Sequence, residues 1–454
     1  MPNSRRQFFS LAAAGLLTGA LRSQDGGPRN MIVRSINPQD FEMPLEGFQS
    51  FLTPVDQFFV RTHVYAPQVE VGSWKLQVSG EVANPLTLTM DELKKLPRVE
   101  LIGVLECAGN GRSFYEPTVP GAQWRYGAVG NARWAGVRLA DVLKKAGVKP
   151  SARELIFDGV DVPIGKMPDF QRGIPLAKAT DPNTLLAYEM NGEPLTTAHG
   201  FPLRVVSPGW AADSWVKWLK GIQVLDKEFE GFWMKSAYRR PEYPVRPGEA
   251  VDASKMRPVT RLRVKSVIAA PLDGTTVAPG QKVKVYGAAW AGDQGPVSAV
   301  DVSVDSGRTW RPAALSGQPT PYGWRLWELS WTPPHEGFYN VLARARTMAG
   351  DVQPLAEEWN PSGYQWNVVQ RVGLAVGSAA PPAAPPNSVA DVPQPDGFKT
   401  TCLVCHQEDM IRQQRLTRAQ WNREIDKMTG WGADPKPDQR DALLNYLATR
   451  FGPR

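Results

Sequence analysis

Cysteine is scarce in this chain. Its 454 residues carry only three, and all three sit in short runs whose chemistry calls for a sulfur atom, so none is left for a structural disulfide. Long apolar runs are scarcer still. Beyond the N-terminal segment no stretch approaches the roughly eighteen consecutive apolar residues of a membrane helix, so no membrane span is expected in the mature chain. Blocks of lysine and arginine are missing, as are nucleic-acid-binding motifs, and the formal charge of +7 is modest. That balance argues against a nucleic-acid partner and leaves a mild positive field suited to an anionic substrate or an acidic redox partner. At 42% hydrophobic and 21% charged residues the composition is that of an ordinary globular chain, and its length predicts two or three domains.

What is present begins at the N-terminus. Ser4-Arg5-Arg6-Gln7-Phe8-Phe9, followed by the apolar run from Leu11 to Leu21, reads as a twin-arginine export signal, with residues 1–30 as signal and leader. The run is too short for a stable anchor and its basic flank lies on the N-terminal side. Export by that route carries folded proteins, as is needed when a cofactor is inserted before transport, and the expected location is the periplasm.

At the other end, Cys402-Leu403-Val404-Cys405-His406 has the spacing for one covalently attached c-type haem. Two thiols saturate the haem vinyl groups and the adjacent histidine supplies an axial nitrogen to iron. A zinc site would need four ligands, and the tail offers no second Cys/His pair. Trp421, Ile425 and Met428 fall on one helical face after the N-cap candidate Thr417, with Gly430 as a stop, and a last helix is expected near 440–450 with Leu443, Leu444 and Leu447 inward. Met428 is the candidate second axial ligand. Met410 competes, although it lies only four residues beyond His406.

Composition divides the rest. Residues 373–396 are rich in Ala and Pro and read as an extended tether, which leaves 397–454 as a small all-α cytochrome c domain. Residues 258–372 alternate apolar and polar positions between turn signals such as Asp273-Gly274 and Asp305-Ser306-Gly307, predicting an immunoglobulin-like β-sandwich without a disulfide. Residues 31–257 mix strand-like runs (74–78, 100–105, 203–206) with short helices (89–96, 139–146) and loops rich in Gly and Pro, an α+β pattern.

Four runs are more specific. Phe58-Phe59-Val60-Arg61-Thr62-His63, the run from Leu105 through Cys107 to Arg112, the run Leu185 to Leu195, and His199-Gly200-Phe201-Pro202-Leu203-Arg204-Val205-Val206 together resemble the sulfite oxidase family of molybdenum enzymes, in the family's order. The resemblance extends to about residue 369 and makes the sandwich, with its Asp305 to Trp310 turn, similar to that family's dimerisation domain. It implies an α+β molybdopterin-binding domain and a homodimer formed through the sandwich.

By the same resemblance Cys107 gives its thiolate to molybdenum, alongside the pterin dithiolene. Phe59, Val60, Arg61, Thr62, His63, Asp161, His199, Arg204 and Ser214-Trp215-Val216-Lys217 would hold the pterin and its phosphate, although the loop after Asp161 is short for the family. Arg61, Arg112 and Tyr238 would handle the substrate, sulfite, with His63 positioning Arg61 or relaying a proton. Gly111 departs from the paired arginines of the animal enzymes, while Arg112 keeps the second position. The implied activity is oxidation of sulfite to sulfate, with electrons passing singly through the haem to an external cytochrome c or similar carrier. Within the enzyme class the alternatives are a Sox-type sulfur dehydrogenase acting on carrier-bound sulfane sulfur, or a reductase of sulfoxides or nitrate. Outside it stands an electron-transfer protein whose molybdenum domain only binds a partner.

Overall fold

The strand Arg98–Glu106 ends one residue before Cys107 and pairs along its whole length with Val129–Arg138. It belongs to a computed structural model that describes residues 30–378 and 392–453. The twin-arginine segment, and the part of the Ala/Pro tether from 379 to 391, lie outside the described residues.

Two five-stranded sheets build the first domain. One carries Arg98–Glu106 and Val129–Arg138, with Leu185–Met190 beside them. The other centres on Leu219–Leu225, which pairs parallel with Leu76–Gly80 and antiparallel with Glu154–Gly159. The helix Leu139–Ala146 forms because Leu139, Val142, Leu143 and Ala146 recur at helical spacing, and all four are buried in the core that also holds Leu76, Leu155 and Ile222. It stops at Gly147, whose positive φ of 68° suits glycine at a helix end. The helix expected over 89–96 is shorter, Met90–Leu93, capped reciprocally by Thr89 and Glu92. Leu96 precedes Pro97, and proline drives its predecessor out of helical geometry.

The second domain is a sandwich of a four-stranded and a five-stranded sheet. Alternation is visible in Val283–Trp290, where Val283 and Val285 face inward and Lys284 outward, and the inner faces meet around Trp327, Val341 and Leu374. A further core joins the two domains. Val104 and Ala108 pack there with Val267, Ala288 and Trp290, and Phe48 stacks on Trp290 with ring centroids 5.9 Å apart. The first domain is therefore not hinged loosely on the second.

The tail consists of four helices, Phe398–Cys402, Glu408–Arg412, Arg418–Gly430 and Pro437–Arg450. Thr417 and Gln420 form a capping box at the third, and Trp421, Ile425, Leu443 and Leu447 share a core with Phe398 and Phe451. The last helix begins before residue 440 because Pro437 fits its first turn, where no amide donor is needed. This unit rests on the first domain. Asp409 Oδ2 accepts from the Ile36 amide at 3.0 Å, Gln413 Oε1 from the Gln123 amide at 2.8 Å, and the Trp431 carbonyl from the Lys166 amide at 2.9 Å. Trp431 also meets Phe232 and Trp233 at centroid distances of 6.1 and 6.3 Å.

Candidate active site

Cys107 opens a tight loop. Its amide donates to the Ala128 carbonyl at 2.9 Å, its carbonyl accepts from the Asn110 amide at 2.9 Å, and Asn110 Oδ1 accepts from the Ala128 amide at 3.1 Å. Glu106, just before it, is buried and takes three donors: Lys265 Nζ at 2.5 Å, Trp290 Nε1 at 2.7 Å and Asn110 Nδ2 at 2.9 Å. The loop that presents the thiol is thus tied to the sandwich. Burial raises the thiol's pKa, a bias that a bound metal cation would reverse.

Arg112 follows the loop with its guanidinium buried. Nη1 donates to the Ala122 carbonyl at 3.1 Å, while Nε has no partner. A Cβ on Gly109 would come within 2.7 Å of Nη1, so a larger residue there would displace the Arg112 guanidinium. Gly111 has φ 90°, and a Cβ on it would lie 2.6 Å from Trp366. That accounts for the missing first arginine, since the backbone is left-handed and a tryptophan fills the space. Arg61, from the short strand Val60–Arg61, reaches the same cavity and is paired with Asp40 at 3.1 Å.

Tyr238 Oη and His63 Nε2 lie 2.9 Å apart. Burial, helped by the Arg61 charge, holds the imidazole well below its usual pKa, and burial together with Tyr364 holds the phenol well above its own. The histidine is therefore neutral and the tyrosine protonated, so either Tyr238 donates to His63 Nε2, or His63 Nε2–H donates to Tyr238 Oη and the hydroxyl proton is free to point outward.

A narrow cleft leads inward from these residues, lined by Phe59, Arg61, Thr62, His63, Cys107, Asp161, His199, Arg204, Trp215, Val216 and Lys217. Val60 and Ser214 are not brought to it. The Val60 side chain joins Phe41 and Ala198 in a small apolar cluster on the opposite face of its strand, and Ser214 Oγ donates to the Ala211 carbonyl at 2.8 Å. Arg204 is buried, Lys217 is partly buried, and neither forms an ion pair among the described residues. Arg204 donates to the carbonyls of His199 and Trp215, and its Nε is left unpartnered. Burial lowers Arg204 to about 9, and burial with the Arg204 charge lowers Lys217 to about 7. Two desolvated cations, neither in ion-pair contact with an acid among the described residues, fit an anionic group such as the phosphate of a pterin. Asp161 is pushed up to about 6 by burial, with Lys217 opposing, and burial takes His199 down to about 3.

On the outer side the cavity widens to about 490 Å³, and its far wall belongs to the tail. Arg61, His63, Cys107, Arg112 and Tyr238 line one side, and Cys402, Cys405, His406 and both Met410 and Met428 the other. All three thiols are free. His406 Nδ1 faces the Gln407 carbonyl at 3.1 Å, which leaves Nε2 available to a metal. Apolar walls from Ile411, Trp421, Ile425 and Leu447 complete a site whose donors and lining fit a covalently held haem.

Several functional contacts had no sequence signal. Asp40, Lys265, Arg172, Asp213 and Tyr364 come from segments far apart in the chain; only Glu106 lay inside a quoted run.

This fold and site define a molybdopterin oxidoreductase. Residues 63–233 match the oxidoreductase molybdopterin binding domain and residues 256–376 the Mo-co oxidoreductase dimerisation domain. The chain is 37% identical to the mitochondrial sulfite oxidase of Rattus norvegicus over 360 residues, 76% of this chain and 65% of that one. It is 34% identical to the sulfite oxidase of Arabidopsis thaliana over 372 residues, covering 94% of that protein. The solved structure of the sulfane dehydrogenase SoxCD from Paracoccus pantotrophus superposes with a TM-score of 0.66 at 28% identity, covering 75% of this chain and 85% of that one. The chain belongs to the sulfite oxidase family, and it spans about 65% of the length of the mammalian relatives it matches.

Proposed function

We propose that the protein is a molybdenum-dependent sulfite dehydrogenase that passes electrons through its own c-type haem to an external cytochrome or similar carrier. The observation that carries this reading is the shared cavity, which has Cys107, Arg61, Arg112 and Tyr238 on one wall and Cys402, Cys405 and His406 on the other. Sulfite and water yield sulfate, two protons and two electrons. When bound, the molybdenum centre held by Cys107 would supply the oxygen-atom transfer and the haem would carry electrons away singly.

The chain's own residues do the rest. Arg61 is paired with Asp40, so the pocket cation without an acidic partner among the described residues is Arg112, which draws in a small oxyanion. Tyr238 has one hydroxyl proton: it donates from Oη to an anion oxygen when His63 Nε2–H faces Oη, and in the other tautomer its proton passes to His63 Nε2 as Oη takes up one released in the pocket. Arg204 and Lys217 hold the pterin phosphate away from the reacting face. Met428 and Met410 both border the haem side, and Met428, on the longer helix, is the methionine that would hold the haem iron together with His406.

A sulfane dehydrogenase is the second reading, favoured by the likeness to SoxCD. The tail forms the far wall of the pocket, a confinement that suits a small free anion better than sulfur carried on a protein. Homodimerisation through the sandwich and folded export to the periplasm complete the proposal. Molybdenum and iron per chain, measured alongside sulfite-dependent reduction of an artificial acceptor, test it. Equimolar metals with turnover support it, and a molybdenum-replete chain inert to sulfite but active on carrier-bound sulfane would transfer the assignment to the second reading.

A further inference from the structure

We infer that Tyr364 is a specificity-determining residue of the anion pocket, its ring fixing the Arg112 guanidinium beside Tyr238 without cancelling its charge. The inference rests on the substrate reading above. Four side chains form one column. The Arg112 guanidinium carbon lies 5.0 Å from the Tyr364 ring centroid, the Tyr364 and Tyr238 rings stack at 5.3 Å and 12°, and Arg172 lies 5.1 Å from the far face of Tyr238. At its base Arg172 is paired with buried Asp213 and donates to the Trp233 carbonyl, so that cation is compensated. At the top Arg112 has no carboxylate partner among the described residues. Its polar contacts are two carbonyls, Ala122 at 3.1 Å and Ser362 at 3.5 Å, and Nε is unpartnered.

An acidic partner would orient Arg112 but neutralise the charge that attracts substrate. An aromatic face orients a guanidinium through its quadrupole and leaves the net charge in place. Tyr364 is itself rigidly held. Its carbonyl accepts from Tyr115 Oη at 2.8 Å and Asn360 Nδ2 at 3.0 Å, and its amide donates to Asn360 Oδ1 at 3.2 Å. The segment bearing it leaves the sandwich between Gly337–Thr347 and Arg371–Val376 and reaches back to the Cys107 loop, where the Gln365 amide donates to the Ala108 carbonyl at 2.7 Å. The second domain therefore sets the spacing between the two substrate-facing groups, Arg112 and Tyr238, of the first.

The test compares Tyr364→Phe, which keeps the face, with Tyr364→Leu, which removes it, in molybdenum-loaded protein. Losing a desolvated cation–π contact predicts, for Tyr364→Leu, a KM for sulfite raised about tenfold with kcat within about threefold of wild type. Calorimetric binding of sulfate, the product anion, to the oxidised protein should weaken by about the same factor, and Tyr364→Phe should return both to within about twofold. Tyr364→Gln, which also lacks a ring, carries the same expectations and serves if the leucine variant does not hold molybdenum. Unchanged KM and sulfate affinity in the ringless variants would overturn the inference, as would a phenylalanine variant impaired like leucine. A wild-type protein that turns over sulfite but shows no change in these variants leaves the substrate reading intact. A wild-type protein that neither oxidises sulfite nor binds sulfate overturns both, because no anion pocket then exists for Tyr364 to shape.

Discussion

Lys265 Nζ lies 2.5 Å from Glu106 Oε1 with both side chains buried, so the residue next to Cys107 is tied to the β-sandwich by an ion pair across the domain boundary. Breaking one partner leaves the other charged and desolvated. Lys265→Met is expected to cost about 3–5 kcal/mol in denaturant unfolding, and adding Glu106→Gln should recover part of it. Molybdenum retention should fall in the single variant, because the Cys107 loop loses its anchor. A loss below about 1 kcal/mol, the range of an exposed pair, would show that the boundary is held by its apolar core instead.

Cofactor removal should expose the cost of Lys217. Folding takes its pKa from the ordinary lysine value down to about 7, so between about pH 7 and 10 the unfolded chain binds a proton that the folded chain does not. The stability contributed at this site therefore rises with pH across that window in the cofactor-free protein. Thermal unfolding at pH 7 and pH 9 should show a steeper rise for wild type than for Lys217→Met, and the difference should shrink in loaded protein, where an anion keeps the ammonium charged. Parallel pH profiles in the two cofactor-free proteins would count against an unpaired cation at this site.

Among the described residues, Arg112 is the pocket cation with no carboxylate beside it. Arg112→Gln should raise the KM for sulfite about tenfold or more, the scale of one charge-assisted hydrogen bond, and an unaltered KM would remove Arg112 from substrate binding.

Docking of the tail can be read without any cofactor. Asp409 Oδ2 accepts the Ile36 amide proton at 3.0 Å, so Asp409→Ala should speed hydrogen exchange at Ile36 while leaving the tail's own helices protected. If exchange at Ile36 does not change, the tail does not rest on this edge.

Local signals in the sequence were legible wherever one short segment decides the outcome. The helix Leu139–Ala146 follows from its apolar spacing, and the start of Arg418–Gly430 from the N-cap Thr417. The alternation in Val283–Trp290 gave away a sandwich strand. Motif residues such as Cys107, Arg61, His63 and Arg204 were also legible, because the runs that carry them are distinctive, and the structure brings them to one cleft. Side-chain direction was less so. Val60 lies between two cleft residues, and strand geometry turns it away from the cleft. Tyr364 stacks on Tyr238 from 126 positions further along, Lys265 meets Glu106 across 159, and the tail's seat on Gln123 spans 290. Such pairings are set by how domains close on each other, and no window of sequence contains both partners.

The central claim is that sulfite oxidised beside Cys107 delivers electrons to a haem on the opposite wall of the same cavity. The most direct measurement is the haem absorption spectrum of anaerobic, molybdenum-replete protein before and after sulfite is added, with Cys107→Ser as the control. Rapid haem reduction is expected in wild type and none in the variant, whose haem remains reducible by dithionite. A spectrum that stays oxidised in wild type, with molybdenum and haem both present, would contradict it.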